Sequence, residues 1–256
     1  MTLRAQLARE YWIRAVKARQ AYHRFEVKGL SAFERPGPAL IAGYHGRPFA
    51  WDLLMLQVYL LERGIACRPV VHDSFGSSRI FRHLVEGMRF LVGEGKEMHE
   101  AIDAGDKVIV TPGGGRESMR HSLVRYRPEW TGRLGFVRLA LRRRLPIIPA
   151  ASAGVDDQYI SLVDGYKLAR ALKLPRKMSL FFGVGPLGLF PWSPPFPVKI
   201  TLRLGQPLAP DGDPDSEADC QALLARVVNA VEGLLDRAQE VSPFEVLRQR
   251  EDETWT

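Results

Sequence analysis

Cysteine is scarce: Cys67 and Cys220 are the only two, too few for a disulfide framework and without zinc-site spacing. A reducing, cytoplasmic setting is therefore expected. Long apolar runs are missing as well, and no stretch offers the roughly 18 helix-compatible apolar residues of a membrane span. The charge-free run from Met178 to Val198 comes nearest, but it holds Pro186, Pro191, Pro194, Pro195 and Pro197 with Gly183, Gly185 and Gly188, which break any helix there. Nor does the N-terminal stretch resemble a secretion signal, because Arg4, Arg9, Arg14, Lys17, Arg19 and Arg24 interrupt its apolar residues. The expectation is a chain that is soluble or lies on a membrane surface. Internal repeats and low-complexity tracts are absent. So is the Gly-x-Ser-x-Gly elbow of an α/β hydrolase. His23, His72, His83, His99 and His121 lack ligand spacing with Cys or acids, so no metal and no bound cofactor is expected.

What is present is ordinary globular composition. Of 256 residues, 46% are hydrophobic and 25% charged, enough for one sizeable core. Lys and Arg exceed Asp and Glu by 36 to 29, a formal charge of +7, which favours anionic partners such as phosphates or acidic lipid. Nucleic-acid binding would rest on that charge alone, with no recognition motif beside it, and is not expected.

Helix and strand patterns alternate. Residues 3–25 predict an amphipathic helix with Leu3, Leu7, Tyr11, Ala15, Ala18, Tyr22 and Phe25 on one face and basic flanks. It either packs on the domain or lies on anionic lipid. Pro38–Tyr44, Arg68–His72, Lys107–Thr111, Pro146–Ala151 and Val198–Leu204 read as strands; Asp52–Arg63, Ile80–Met88, Leu134–Arg143 and Ser216 to Glu240 read as helices. These predict a single α/β domain with a mixed, mostly parallel sheet flanked by helices. Its expected divisions are an N-terminal helical segment over 1–28, a core over 29–240 and a tail over 241–256.

Two segments carry chemistry. In Tyr44-His45-Gly46-Arg47-Pro48-Phe49-Ala50-Trp51-Asp52, a His at a strand end precedes an acid within one loop. A carboxylate on one ring nitrogen fixes the tautomer and leaves the other nitrogen to take a proton. A continuous helix from 45 to 52 would hold the pair about 10 Å apart along its axis. Pro48, favoured in a first helical turn, instead predicts a loop at His45–Arg47 and a helix starting near Pro48, with His45 folded back over Asp52. The second segment is Thr111-Pro112-Gly113-Gly114-Gly115-Arg116-Glu117. Its consecutive glycines let backbone N–H groups approach an anion, and Arg116 adds a fork of donors. The missing Gly-Lys-Ser/Thr ending argues against a nucleotide P-loop.

These two segments, in this order, resemble the glycerolipid acyltransferase superfamily of the PlsC type, whose His-x4-Asp and Pro-Glu-Gly-Thr-Arg blocks line one site. Here six residues separate His45 from Asp52, and Gly113 stands where the main branch has glutamate. Those departures are similar to the branch near diacylglycerol acyltransferase type 2 and plant phytyl-ester synthase, with its Pro-Gly-Gly-x-Arg-Glu block. Tyr126-Arg127-Pro128-Glu129-Trp130, Gly132–Phe136, Pro146–Ala150 and Leu204–Leu208 resemble further segments of that branch, so the likeness covers about residues 22–208. The second family block is poorly matched, since Gly93 follows Gly87 where an Arg is expected.

The resemblance implies transfer of an acyl group from acyl-CoA or acyl carrier protein, as co-substrate, to a hydroxyl of a glycerolipid or lysophospholipid acceptor. It implies His45 as general base, Asp52 as its orienting partner, and backbone amides near Gly113 and Gly114 as donors to the developing oxyanion. Arg116 and Arg133 would hold an anionic part of a substrate, and Glu117 would pair Arg116 or line the acceptor site. The basic amphipathic helix over 3–25 makes a membrane surface an expected partner as well. A thioesterase or a lipid-binding scaffold that keeps only the fold are the rival readings. Asp156-Asp157 reads as a structural turn. The cluster Arg138, Arg142, Arg143 and Arg144 reads as a solvated helix face, and Phe181–Phe196 as either a core edge or a surface that meets lipid.

Overall fold

A computed structural model describes residues 1–33, 36–72, 81–93, 95–174 and 180–239. Helix α1 (Leu3–Tyr22) is capped by Thr2, whose hydroxyl accepts the Ala5 amide. Strand β1 (Glu26–Lys28) and β2 (Ala39–Gly43) follow, then α2 (Trp51–Leu61), β3 (Cys67–Val71), α3 (Arg82–Met88), β4 (Leu91–Val92), α4 (Lys96–Asp103) and β5 (Lys107–Val110). Next come a single turn α5 (Gly115–Ser118), α6 (Gly135–Arg143), β6 (Ile147–Ala153), β7 (Ile160–Ser161) and α7 (Gly165–Ala171). Strands β8 (Gly183–Gly185), β9 (Gly188–Leu189) and β10 (Thr201–Leu204) precede the last helix, α8 (Glu217–Gln239).

The architecture is a single α/β domain on a seven-stranded sheet ordered β1-β10-β6-β2-β5-β3-β4. Only the β10–β6 pair is antiparallel. Strand β2 is buried along its whole length, as a central strand covered on both faces must be. Its side chains alternate: Leu40 and Ala42 meet Val108, Val137, Leu223 and Val227 on one side, and Ile41 meets Leu56, Ile109 and Ile148 on the other. A second, three-stranded sheet, β7-β8-β9, is antiparallel. Its strands β8 and β9 form within the proline-rich run, where helix-breaking residues still permit short strands, and β7 pairs with them from outside it. No helix among the described residues is long and apolar enough to cross a membrane.

Helix α1 departs from the expected packing. Its inward face is Ala5, Val16 and the partly buried Trp12, Ile13 and Arg19, while Leu3, Leu7, Tyr11, Ala15, Ala18 and Tyr22 are all exposed. The cause is a close crossing with α3, where a Cβ on Gly87 would lie 2.3 Å from the Ala5 carbonyl oxygen. Trp12 then stacks on Trp51 at 5.5 Å, and the Arg19 guanidinium lies 4.2 Å above the same ring. Residues 1–28 thus supply both a packed helix and an edge strand of the main sheet. The expected starts and ends at Ile80, Met178 and Glu240, and the 241–256 tail, fall outside the described residues.

Candidate active site

Strands β2 and β5 are parallel neighbours, with Ala42 opposite Val110, and β6 lies on the other side of β2 in the same direction. The loops after all three strands therefore leave the sheet at one edge, where ligands of open α/β sheets bind. His45 follows β2, Pro112–Glu117 follows β5, and Asp156 follows β6.

His45 does sit in a loop rather than a helix, but α2 begins at Trp51, three residues later than expected, and Ala50 before it takes a left-handed φ of 49°. The reason lies outside the segment. The Arg47 amide donates to Asp156 at 3.2 Å, and Gln158 donates to the Arg47 carbonyl. The Arg47 guanidinium, wholly buried, reaches Ser122 Oγ at 2.7 Å and the His121 carbonyl. The loop is thereby pinned to the turn after β6 and cannot wind into helix until it is past Phe49.

No hydrogen bond joins His45 to Asp52. His45 Nδ1 instead lies 3.1 Å from the Gly46 carbonyl oxygen, which fits an Nδ1–H tautomer and leaves Nε2 with its lone pair and no partner in the described protein. Burial lowers the His45 pKa, opposed by that carbonyl and by the negative charge of Asp156. The ring is therefore neutral at pH 7, the state a general base needs. Asp52, in the first turn of α2, is fully buried. Its oxygens make no hydrogen bond of full geometry, although Ser152 and the Leu53 amide favour the charged form. Burial outweighs them and pushes its pKa up to about 7.

Glu117 joins the two segments. One carboxylate oxygen accepts the His45 amide at 2.9 Å and the other accepts the Glu129 amide at 2.8 Å. The side chain is buried, and burial pushes its pKa up to about 7 against those two amides and Arg120. It does not pair with Arg116, which is exposed, with its guanidinium 5.2 Å from the Tyr166 ring. A Cβ on Gly113 would lie 1.9 Å from Glu117 Cδ. The Glu117 carboxyl group thus fills the space that a side chain at 113 would take. Gly113→Ala is expected to eject this carboxylate from both amides and cost roughly 1–3 kcal/mol, measured by urea denaturation; unchanged stability would contradict the packing.

Of the two amides expected as oxyanion donors, Gly114 is spent: its N–H donates to the Thr111 carbonyl at 3.1 Å, closing a turn that its φ of 54° makes specific to glycine. The N–H groups of Gly113, Gly115 and Arg116 have no acceptor in the described protein. Arg116, Arg170 and, by its charge, Arg133 surround the Tyr166 ring. Arg133 is exposed. Of the other arginine cluster, Arg142 and Arg143 are tied to Asp215 and Asp103, and Arg138 and Arg144 face solvent.

Sequence reasoning missed the buried network beneath the site. Asp156 accepts the Tyr44 hydroxyl at 2.7 Å and the Arg47 and Tyr126 amides, so it is the hub that fixes the loops rather than a plain turn residue. Arg120 donates to the Tyr44 hydroxyl and the Arg127 carbonyl. A Tyr before the His and an Asp just past a strand were the visible signals, but single residues far apart in sequence do not announce that they meet. The described residues hold no cluster of metal-ligating side chains.

The fold and site together define an open α/β domain with a buried histidine loop and a glycine-rich loop with unpaired amides at one sheet edge. No family model matches the chain. A human protein named as a DGAT1/2-independent enzyme synthesizing storage lipids is 28% identical over 224 residues, covering 86% of this chain and 63% of that one. An uncharacterised protein of Mycobacterium tuberculosis is 30% identical over 216 residues, 78% of this chain and 56% of that one. The chain thus spans less than two thirds of the length of these relatives. Among solved structures, the 1-acyl-sn-glycerophosphate acyltransferase PlsC of Thermotoga maritima gives a TM-score of 0.49 at 16% identity, over 88% of this chain and 80% of that one.

Proposed function

We propose that the protein is a lipid acyltransferase that moves a fatty acyl group from an acyl thioester to the hydroxyl of a glycerolipid-type acceptor at a membrane surface. The observation that carries this reading is the Glu117–His45 hydrogen bond of 2.9 Å, which makes one site of a general base and an anion-ready loop. The storage-lipid synthesis named for the human relative supports a lipid product.

In the reaction, His45 Nε2 takes the acceptor's proton as its oxygen attacks the thioester carbonyl. The carbonyl oxygen gains negative charge, met by the unpaired amides of Gly113 and Gly115. The tetrahedral intermediate then collapses, the C–S bond breaks, and the thiolate leaves with the proton from His45. Gly46 holds the tautomer, and Asp52 supplies negative charge in a buried setting while the imidazolium exists. Arg116 and Arg133 bind the anionic part of CoA or of a carrier-protein donor.

The test is release of free thiol from acyl-CoA with a panel of hydroxyl acceptors, with products identified by mass spectrometry. An ester product is expected. Thiol release without an ester, water being the only acceptor, would replace the reading with a thioesterase. Arg116→Ala is expected to raise KM for acyl-CoA about tenfold, as loss of a charge-assisted contact does, with little change for an acyl-pantetheine lacking the nucleotide phosphates.

A further inference from the structure

The three-stranded sheet β7-β8-β9 carries an apolar surface that the proposed chemistry does not use. Its register places Ile160 opposite Val184 and Val184 opposite Leu189, so the three share one face. Ile160 and Leu189 are exposed there, Leu189 at 59%. The tip beyond is more open: Leu187 is 80% exposed and Trp192 85%. From Leu180 to Val198 there is no charged residue, so the patch offers no ionic pairing to a protein partner. A neighbouring element carries basic residues. Helix α7 packs against the segment leading into β8, where a Cβ on Gly165 would meet the Leu180 carbonyl oxygen; Lys167 on α7 and Lys173 just past its end are exposed.

The opposite side of this sheet is anchored. Phe181, Phe190 and Tyr159 pack edge to face at 5.4 to 5.7 Å. Phe190 also lies 6.1 Å from Phe49, the half-exposed ring in the loop that runs from His45 to Asp52. This contact ties the hairpin to the loop that carries His45.

We propose that the hairpin formed by β8, β9 and Trp192 inserts into the interfacial layer of an anionic lipid bilayer, with Lys167 and Lys173 against the headgroups. Tryptophan on an uncharged apolar tip suits that layer, where the ring is half in hydrocarbon and the indole N–H stays wet. The two lysines on the neighbouring element add attraction to acidic lipid. The inference rests on the lipid-acyltransferase reading only for its purpose: it places the His45 loop against the surface that holds the acceptor.

The test is vesicle flotation without any acyl donor, so that it does not depend on the chemistry. Wild type is expected to float with vesicles of phosphatidylcholine and phosphatidylglycerol. Leu187→Ser combined with Trp192→Ser should bind about tenfold more weakly or worse, with circular dichroism unchanged. Should that double variant misfold, brominated lipid provides a second reading: it should quench part of the wild-type tryptophan emission, and that part should vanish in Trp192→Phe. Lys167→Glu with Lys173→Glu should weaken binding to the phosphatidylglycerol vesicles alone. Failure of wild type to float, binding by the folded double variant at wild-type strength, or equal quenching with and without Trp192 would each overturn the proposal. So would a dimer in solution that the double variant abolishes, which would make a second copy the occupant. Loss of acyl transfer with flotation intact would instead remove the enzymatic reading and leave this one standing.

Discussion

His45→Ala is expected to lower kcat for acyl transfer by about a hundredfold or more, the scale of losing a positioned general base. KM should change little, because the imidazole contributes through the transferred proton rather than through binding. The wild-type profile should show an acid limb below the ordinary histidine value, since burial depresses the His45 pKa. A limb near pH 7 should mark protonation of Asp52, whose charge the imidazolium needs, so activity should be full only above it and fall further as His45 takes a proton. His45→Gln should share the loss while keeping the loop, whose position depends on the main-chain bond to Glu117 and the pinning of Arg47. Wild-type rates in either variant would sink the mechanism.

Asp52→Asn is expected to do two opposite things: abolish most activity and stabilise the fold at alkaline pH. The Asp52 carboxyl is fully buried, with its pKa pushed up to about 7, against roughly 3.9 in an unfolded chain. The native state thus holds this proton after the unfolded state has released it. Stability from this group is complete below pH about 4, falls as pH rises, and is lost above about 7. An asparagine carries no such penalty, so the variant should gain on the order of 2–4 kcal/mol at pH 8 and nothing near pH 4. Urea denaturation at the two pH values measures this. The slope will be reduced rather than erased, because the Glu117 carboxyl, also raised to about 7 by burial, titrates the same way. Equal stability of variant and wild type at pH 8 would mean that the charge of Asp52 is better compensated than its unpaired oxygens suggest. A buried acid that costs stability at working pH is expected where function, not folding, retains it.

The periodic parts of the fold were legible in the sequence. Unbroken apolar runs such as Ala39–Gly43 and Val108–Val110 mark central strands because a strand covered on both faces has no polar side to show. Helices with a strong apolar stripe, such as α6 and α8, were found for the same reason. Shorter elements were not. Strand β4 has two residues and β7 and β9 two each, too few for any period to register. Helix α4 was missed although Met98, Ala101 and Ile102 keep helical spacing toward the core. In α1 the right element was found, but which face packs on the domain was not, because a close helix crossing at Gly87 was decided by another segment and leaves the predicted apolar face exposed.

By itself, then, the sequence determined the α/β class, the order of the strands along the chain, and the two segments that bring His45 and the glycines to strand ends. Local composition and periodicity are enough for that. Only the tertiary structure decided that Glu117 folds over Gly113 to hold the His45 amide, that Gly46 rather than Asp52 meets the imidazole, and that Asp156 binds the loops together. Each is a contact between residues whose pairing no local pattern encodes. The sheet order, which makes β5 and β6 the two neighbours of β2, brings them to one edge.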